Sequence, residues 1–216
     1  GGNPNDVRAS VLASFGTQNF SDIAGLDTDN ENEHAAFKIL ASVGQGTQLR
    51  NDAKLLDIPT NQGFDGLVQP PADPGEPVPF GDQLRLHVVG PLPDQLKALR
   101  DKFAQELPKG PAASLAAYSD TSIPNLSSIV LLAKYRDKSM LLTGDARGDY
   151  ILTGLGNAGL LDQGRLHVDI LKMQHHGSDR NTAGEFFERV TADHYVASAS
   201  GKYENPDRAT FEMLVR

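Results

Sequence analysis

The chain has 216 residues, enough for one larger domain or two small ones around a substantial core. With 39% hydrophobic and 22% charged residues it has an ordinary globular composition, and a net charge of -8 argues against passive attraction to nucleic acid or an anionic membrane. There is no cysteine, which excludes disulfides and thiolate metal sites, so a transition metal has to be held by His, Asp or Glu.

No run reaches the roughly 18 apolar residues of a membrane span. The start "GGNPNDVRAS" has neither the positive flank nor the apolar stretch of a signal peptide, so a cytoplasmic location is expected. It also begins without Met, which points to a fragment or processed form.

Taken in chain order, 1–80 is a polar helical and loop region. "DVRASVLASF" predicts a short helix and "NEHAAFKILASV" another, with Ala36, Ile39 and Leu40 at helical spacing. Between them the acidic "DTDNENEH" reads as a solvated loop, because it lacks the glycine and terminal Glu spacing of a calcium loop. "QPPADPGEPVPFGD" carries five prolines in fourteen residues, which forbids helix and sheet interior alike and marks an extended connection.

The second region, 81–216, has an αβ character. "QLRLHVVGP" predicts a strand ending at Gly90-Pro91, and "LPDQLKALRDKFAQEL" a helix with Leu96, Leu99 and Phe103 on one stripe. After the loop "KGPAASLAAYSDTSIPN", the run "SSIVLLAKYRDKSMLLTGD" gives two apolar strands joined by "KYRDKS" as a hairpin. "ARGDYILTGLGNAGLL" reads as a short helix and loop, "LHVDILKMQ" as a buried strand, and "AGEFFERV" as a helix capped by Asn181 or Thr182. "HYVASAS" is a further strand, and "NPDRATFEML" a helix with Asn205 as cap and Pro206 at its first position. Alternating strands and helices predict an α/β layered fold, and no internal repeat is present.

Two strand ends carry the metal-competent groups. "MLLTGD" stops at Gly144-Asp145 and "DILKMQHHGS" at His175-His176-Gly177, each with a glycine that lets the backbone turn and approach a ligand closely. A carboxylate can bridge two divalent cations, and a neutral imidazole can bind one of them. Asp145 can equally cap the helix that follows it, and adjacent histidines can be one core and one surface residue. Gly81-Asp82 precedes a strand and reads as a turn. His34 and His87 read as structural or exposed residues. His167 and His194 flank strands without a glycine and without an evident partner.

The strings "NLSSIVLLAKYRDKSMLLTGDA", "LHVDILKMQHHGSDRN" and "TADHYVASASGKYENPD", in this order, resemble the C-terminal half of metallo-β-lactamase-fold hydrolases. The branch is the one similar to the hydrolase domain of DNA-uptake competence proteins. Upstream, "GQGTQLRNDAKLLDIPTNQGFDG" and "LRLHVVGPLPDQLKAL" resemble its linking region, so the likeness runs from about Val43 to Arg216. It implies one domain over 1–216, with a four-layer αββα sandwich incomplete at its N-terminus. It also implies two divalent cations, zinc or manganese, with Asp145 as the bridging ligand and His176 as a ligand. His175 is either a further ligand or a contact to the scissile phosphate. Ser178 and Asn181 would lie on the turn at the mouth of the site, and Asn125 before the hairpin is either a polar support or a turn former.

The family's "HxHxDH" or "HxDxDH" loop, which supplies most ligands for both metals, has no counterpart in these residues. In relatives a glycine pair often follows that loop, and this chain opens with "GG", so the loop is expected upstream; a degenerate site is the other explanation. If the second half exists, two cations lower the pKa of a shared water toward the neutral range and offset charge on the scissile group. The expected function is a metal-dependent hydrolase of a phosphodiester or nucleic-acid-like substrate. The alternative is a metal-free module of the same fold that binds a partner. The composition does not set the oligomeric state.

Overall fold

The computed structural model describes residues 49, 51–64, 67–73, 75–106, 125, 127–199, 201 and 205–215. The stretches expected as two N-terminal helices, as the acidic loop with His34, and most of that expected as a loop at 109–125 lie outside the described residues. The chain divides into two compact units, 1–62 with 99–121 and 63–98 with 122–216. In the first, 51–55 is helical and closes on a turn in which the Ile58 amide donates to the Ala53 carbonyl. The second carries the sheet and both strand ends singled out above.

That sheet is mixed and six-stranded, in the order β1 (Val78–Phe80), β2 (Leu84–Gly90), β3 (Val130–Tyr135), β4 (Lys138–Leu142), β5 (Leu166–Lys172) and β6 (Val190–Val196). The first four strands pair antiparallel, whereas β4, β5 and β6 run parallel. Helix α1 (Pro93–Glu106) follows β2, α2 (Gly148–Asn157) joins β4 to β5, α3 (Gly184–Arg189) precedes β6, and α4 (Arg208–Leu214) ends the described chain. Among the described residues no helix is long and apolar enough to cross a membrane.

The hairpin forms as the sequence predicts, with Arg136 at φ 54 closing its turn. The proline-rich connection does more than connect: Pro79 stands in β1 opposite Arg85. A proline lacks the N–H of a ladder bond, and β1 is an edge strand, where one side of the backbone needs no partner. The turn at Gly81-Asp82 lies between β1 and β2 as expected, with Gly81 at φ 63.

Leu132, Leu141 and Leu171 lie in register across β3, β4 and β5 and are fully buried. They join Ile151 and Leu155 of α2 and Phe186 and Phe187 of α3 in one core. Each such side chain contributes about 1.5–3 kcal/mol by leaving water. Their strand neighbours Leu131, Met140, Leu142 and Ile170 alternate to the opposite face and are half-buried. The β5–β6 pairing skips Asp169 and Asp193, and across this gap the buried position moves from Val168 to Leu171. Strict alternation would put those two side chains on opposite faces.

The last strand begins at Val190, four residues before the stretch expected, and ends at Val196. Helix α3 takes Ala183 as its N-cap rather than Asn181 or Thr182. In α4 the N-cap is Asp207, so Asn205 and Pro206 precede the helix instead of starting it.

His87 is a core residue of β2, opposite Leu132, with a buried Nδ1 that has no hydrogen-bond partner among the described residues. Burial, helped by Lys134, pushes its pKa below the ordinary 6.5, against a backbone hydrogen bond with Gly75. The unfolded chain therefore takes up this proton first. The contribution of His87 to stability is complete above the ordinary value and declines as pH falls from there to the lower folded value. Urea midpoints at about pH 7.5 and about pH 5 should fall further in the natural protein than in His87→Leu. An equal fall in both would refute it.

Candidate functional site

Strand β4 pairs parallel with β5, Leu142 opposite Lys172, so residues just past each strand end meet although some thirty positions separate them. Thr143, fully buried, donates from Oγ1 to the Lys172 carbonyl at 2.7 Å and ties the two ends together. Gly144 then turns at φ 54, against Ser128; a Cβ there would come within 2.8 Å of Ser128 Cβ. The amide of Asp145 donates to Ser128 Oγ at 3.1 Å.

On the other end, Gln174 is buried, and three successive residues take left-handed backbone: His175 (φ 41), His176 (φ 61) and Gly177 (φ 88). For the two histidines this costs roughly 1–2 kcal/mol each. The turn is held from several sides. The His175 amide donates to the Gly144 carbonyl at 3.2 Å, the Ser178 amide to the His175 carbonyl at 3.0 Å, and the Asp207 amide to the Gly177 carbonyl at 3.0 Å. Strain of this kind persists where surrounding structure over-determines it, and clusters at functional sites.

The carboxylate Oδ1 of Asp145 lies 3.7 Å from His176 Nε2. His176 Nδ1 lies 2.7 Å from the Ser198 carbonyl, which only accepts, so Nδ1 carries the proton of the neutral ring and Nε2 a lone pair. Two lone-pair donors then face each other across a gap that a cation could bridge at about 2.0–2.2 Å from each. The donor set therefore fits half of a divalent-cation shell. Among the described residues no group of three or more His, Asp or Glu forms a complete one.

His175 sits beside this pair, its ring centroid 5.9 Å from that of His176. Its Nδ1 lies 2.8 Å from Asn181 Oδ1, and Asn181 Nδ2 donates to the Asp145 carbonyl at 3.2 Å. Lys172 stands behind Asp145. Its ammonium donates to the carbonyls of Gly144 at 2.7 Å and Met173 at 3.2 Å and lies 4.0 Å from Asp145 Oδ1. Burial pushes the Lys172 pKa down, while the Asp145 carboxylate opposes that shift.

Asp145, His175, His176 and Asn181 thus come together as one cluster. Ser178 does not reach the mouth of the site: the turn folds it inward and leaves it buried, its carbonyl accepting from Thr182 Oγ1 at 3.0 Å. Asn125 forms a turn, its carbonyl accepting from the Ser128 amide at 3.0 Å. His167, for which the sequence shows no partner, has two across the parallel β6: Thr191 Oγ1 at 3.0 Å and Asp193 Oδ1 at 3.2 Å. His194 is exposed.

Sequence reasoning missed Lys172, Ser128 and the Ser198 carbonyl. A lysine closing the apolar strand "LHVDILK" was a usable signal; nothing in the string marks Ser128, and a main-chain acceptor is invisible to side-chain patterns. Comparison of the chain with models of protein families, with curated proteins and with solved structures finds no match.

Proposed function

We propose that this chain is the C-terminal half of a metallo-β-lactamase-fold, metal-dependent hydrolase acting on a phosphodiester or nucleic-acid-like substrate. The observation that carries the reading is the Asp145 carboxylate 3.7 Å from His176 Nε2, with His176 Nδ1 on the Ser198 carbonyl, at the ends of two parallel strands. Asp145 and His176 would hold zinc or manganese, with a second cation on the bridging carboxylate. When bound, such ions supply a water of lowered pKa and offset charge on the scissile group. Ser198 orients the His176 ring through Nδ1, Lys172 and Ser128 hold the Asp145 turn in place, and His175 stands beside the pair with Asn181 on its Nδ1.

The half-buried apolar row Leu131, Met140, Leu142 and Ile170 is where the second sheet of a four-layer sandwich would pack. A phosphodiester suits a chain with a net charge of -8 because the cations themselves hold the anion.

Metal content by plasma mass spectrometry tests this reading. The natural chain should take up zinc or manganese and, joined to the N-terminal half that supplies the remaining ligands, cleave bis(p-nitrophenyl) phosphate. Asp145→Ala and His176→Ala should lose the metal and, with it, the hydrolysis that depends on it. The absence of an "HxHxDH" string favours a second reading, a metal-free module of the same fold that binds a partner. No metal in the natural chain, or metal unchanged in His176→Ala, would give that module the lead.

A further inference from the structure

We propose that Asn181 is a positioning residue that sets the tautomer of His175, so that the ring presents Nε2 to the site as a lone pair and not as an N–H donor. The argument starts from the Asp145 carbonyl, which can only accept. The Asn181 group 3.2 Å from it must therefore be the NH2, since the reverse orientation would set two oxygens against each other. This fixes the other end of the amide as Oδ1, also an acceptor, at 2.8 Å from His175 Nδ1. Nδ1 must then donate, and in the neutral imidazole the proton on Nδ1 leaves Nε2 bare. One main-chain carbonyl, through one amide, decides which face of His175 meets the ligand.

The same amide ties the histidine turn to the Asp145 turn, so the two strand ends and the tautomer are set together. His176 obeys the same logic through the Ser198 carbonyl, so both rings present Nε2 in one state. A carboxylate, carbonyl or amide oxygen on the far nitrogen of a ligating histidine has this effect in metal sites generally.

The consequence for chemistry rests on the hydrolase reading. A neutral His175 with a bare Nε2 can bind a cation or accept a proton from a water or leaving group. It cannot donate a hydrogen bond to a phosphoryl oxygen. Of the two roles that the resemblance leaves to His175, ligand and contact to the scissile phosphate, the second then requires that the ring first gain a proton.

Long-range 1H–15N correlation of the labelled protein at about pH 8, above the ordinary imidazole range, reads the tautomer directly. The His175 signals are identified by their loss in His175→Gln. The natural chain should show a protonated Nδ1 and a bare Nε2. Asn181→Ala should shift the ring toward the Nε2–H form that dominates free imidazole side chains, and Asn181→Asp, which keeps an acceptor in place, should restore Nδ1–H. A merely structural role would not produce that rescue.

An Nε2–H His175 in the natural chain, or an unchanged tautomer in Asn181→Ala, overturns the proposal; the first of these stands even if the variants fail to fold. If Nδ1–H is found in a chain that takes up no zinc, the role of Asn181 is upheld and the hydrolase reading alone falls.

Discussion

Gly154→Ala should lower the stability of the sheet-bearing unit by about 3 kcal/mol, although the same exchange in a solvent-facing helix would raise it by up to about 1 kcal/mol. Gly154 is buried in α2, where the helix crosses β2. An added methyl would overlap the Val89 carbonyl oxygen and stand 2.8 Å from Val89 Cγ1. The side chain could rotate away. The carbonyl moves only with the backbone of β2, whose residues on either side, Val88 and Gly90, pair with Leu131 and Val130 of β3. Relief therefore requires α2 to lift from the sheet, and Ile151, Leu152 and Leu155 would leave their core contacts with it.

Gly156, two residues on, is the control. A methyl there would meet Leu161 Cδ1 only at 3.9 Å, so Gly156→Ala should be neutral or stabilising. Urea denaturation of both variants measures the difference, and a drop of about 3 kcal/mol corresponds to roughly 6–12 °C in Tm for a chain of this size. Equal midpoints for the two variants would show that α2 does not bear on β2 in this way.

How much of this was legible in advance depended on the kind of signal. The hairpin and β5 were readable because each apolar run is bounded by polar or turn residues, and the polar "KYRDKS" spans the turn that Arg136 closes. The site could be located because Gly144 and Gly177 each sit past a strand end beside a group that can bind metal.

Helix starts were less legible. Asn181, Thr182 and Asn205 all have side chains able to cap, but cap preference is a local bias worth about 1 kcal/mol, and tertiary hydrogen bonds outweigh it. The Asn181 amide is engaged by His175 and Asp145, and Thr182 Oγ1 by the Ser178 carbonyl. The gap at Asp169 and Asp193 left no trace in the apolar pattern. Asp169 is held by Lys138 and Ser139 of the neighbouring strand, so its position is a property of the pairing and not of β5 alone.

Gly177→Ala tests whether the strained turn is what brings the site together. Gly177 has φ 88, and a Cβ on it would stand 2.6 Å from Pro206 Cβ. The left-handed backbone alone costs an L-residue about 1–2 kcal/mol. Pro206 cannot easily give way, because the Asp207 amide donates to the Gly177 carbonyl at 3.0 Å while Asp207 Oδ2 accepts from the Asp179 amide at 2.9 Å. The strain is therefore passed back along the turn to His176 and His175, whose own left-handed angles leave them little room to absorb it. A shift of about 1 Å in a positioned group can cost on the order of 100-fold. On the proposed hydrolase reading, Gly177→Ala is accordingly expected to lose about 2–3 kcal/mol of stability and, with it, zinc affinity by about 100-fold in a calorimetric titration. Gly159→Ala separates the two effects: that residue has φ 63 with nothing within 4 Å of the added carbon, so it should cost about 1 kcal/mol and leave zinc binding unchanged. Equal zinc affinity in Gly177→Ala and the natural protein would mean that the geometry of His176 does not depend on this turn, and that the strain at His175 and His176 has another purpose.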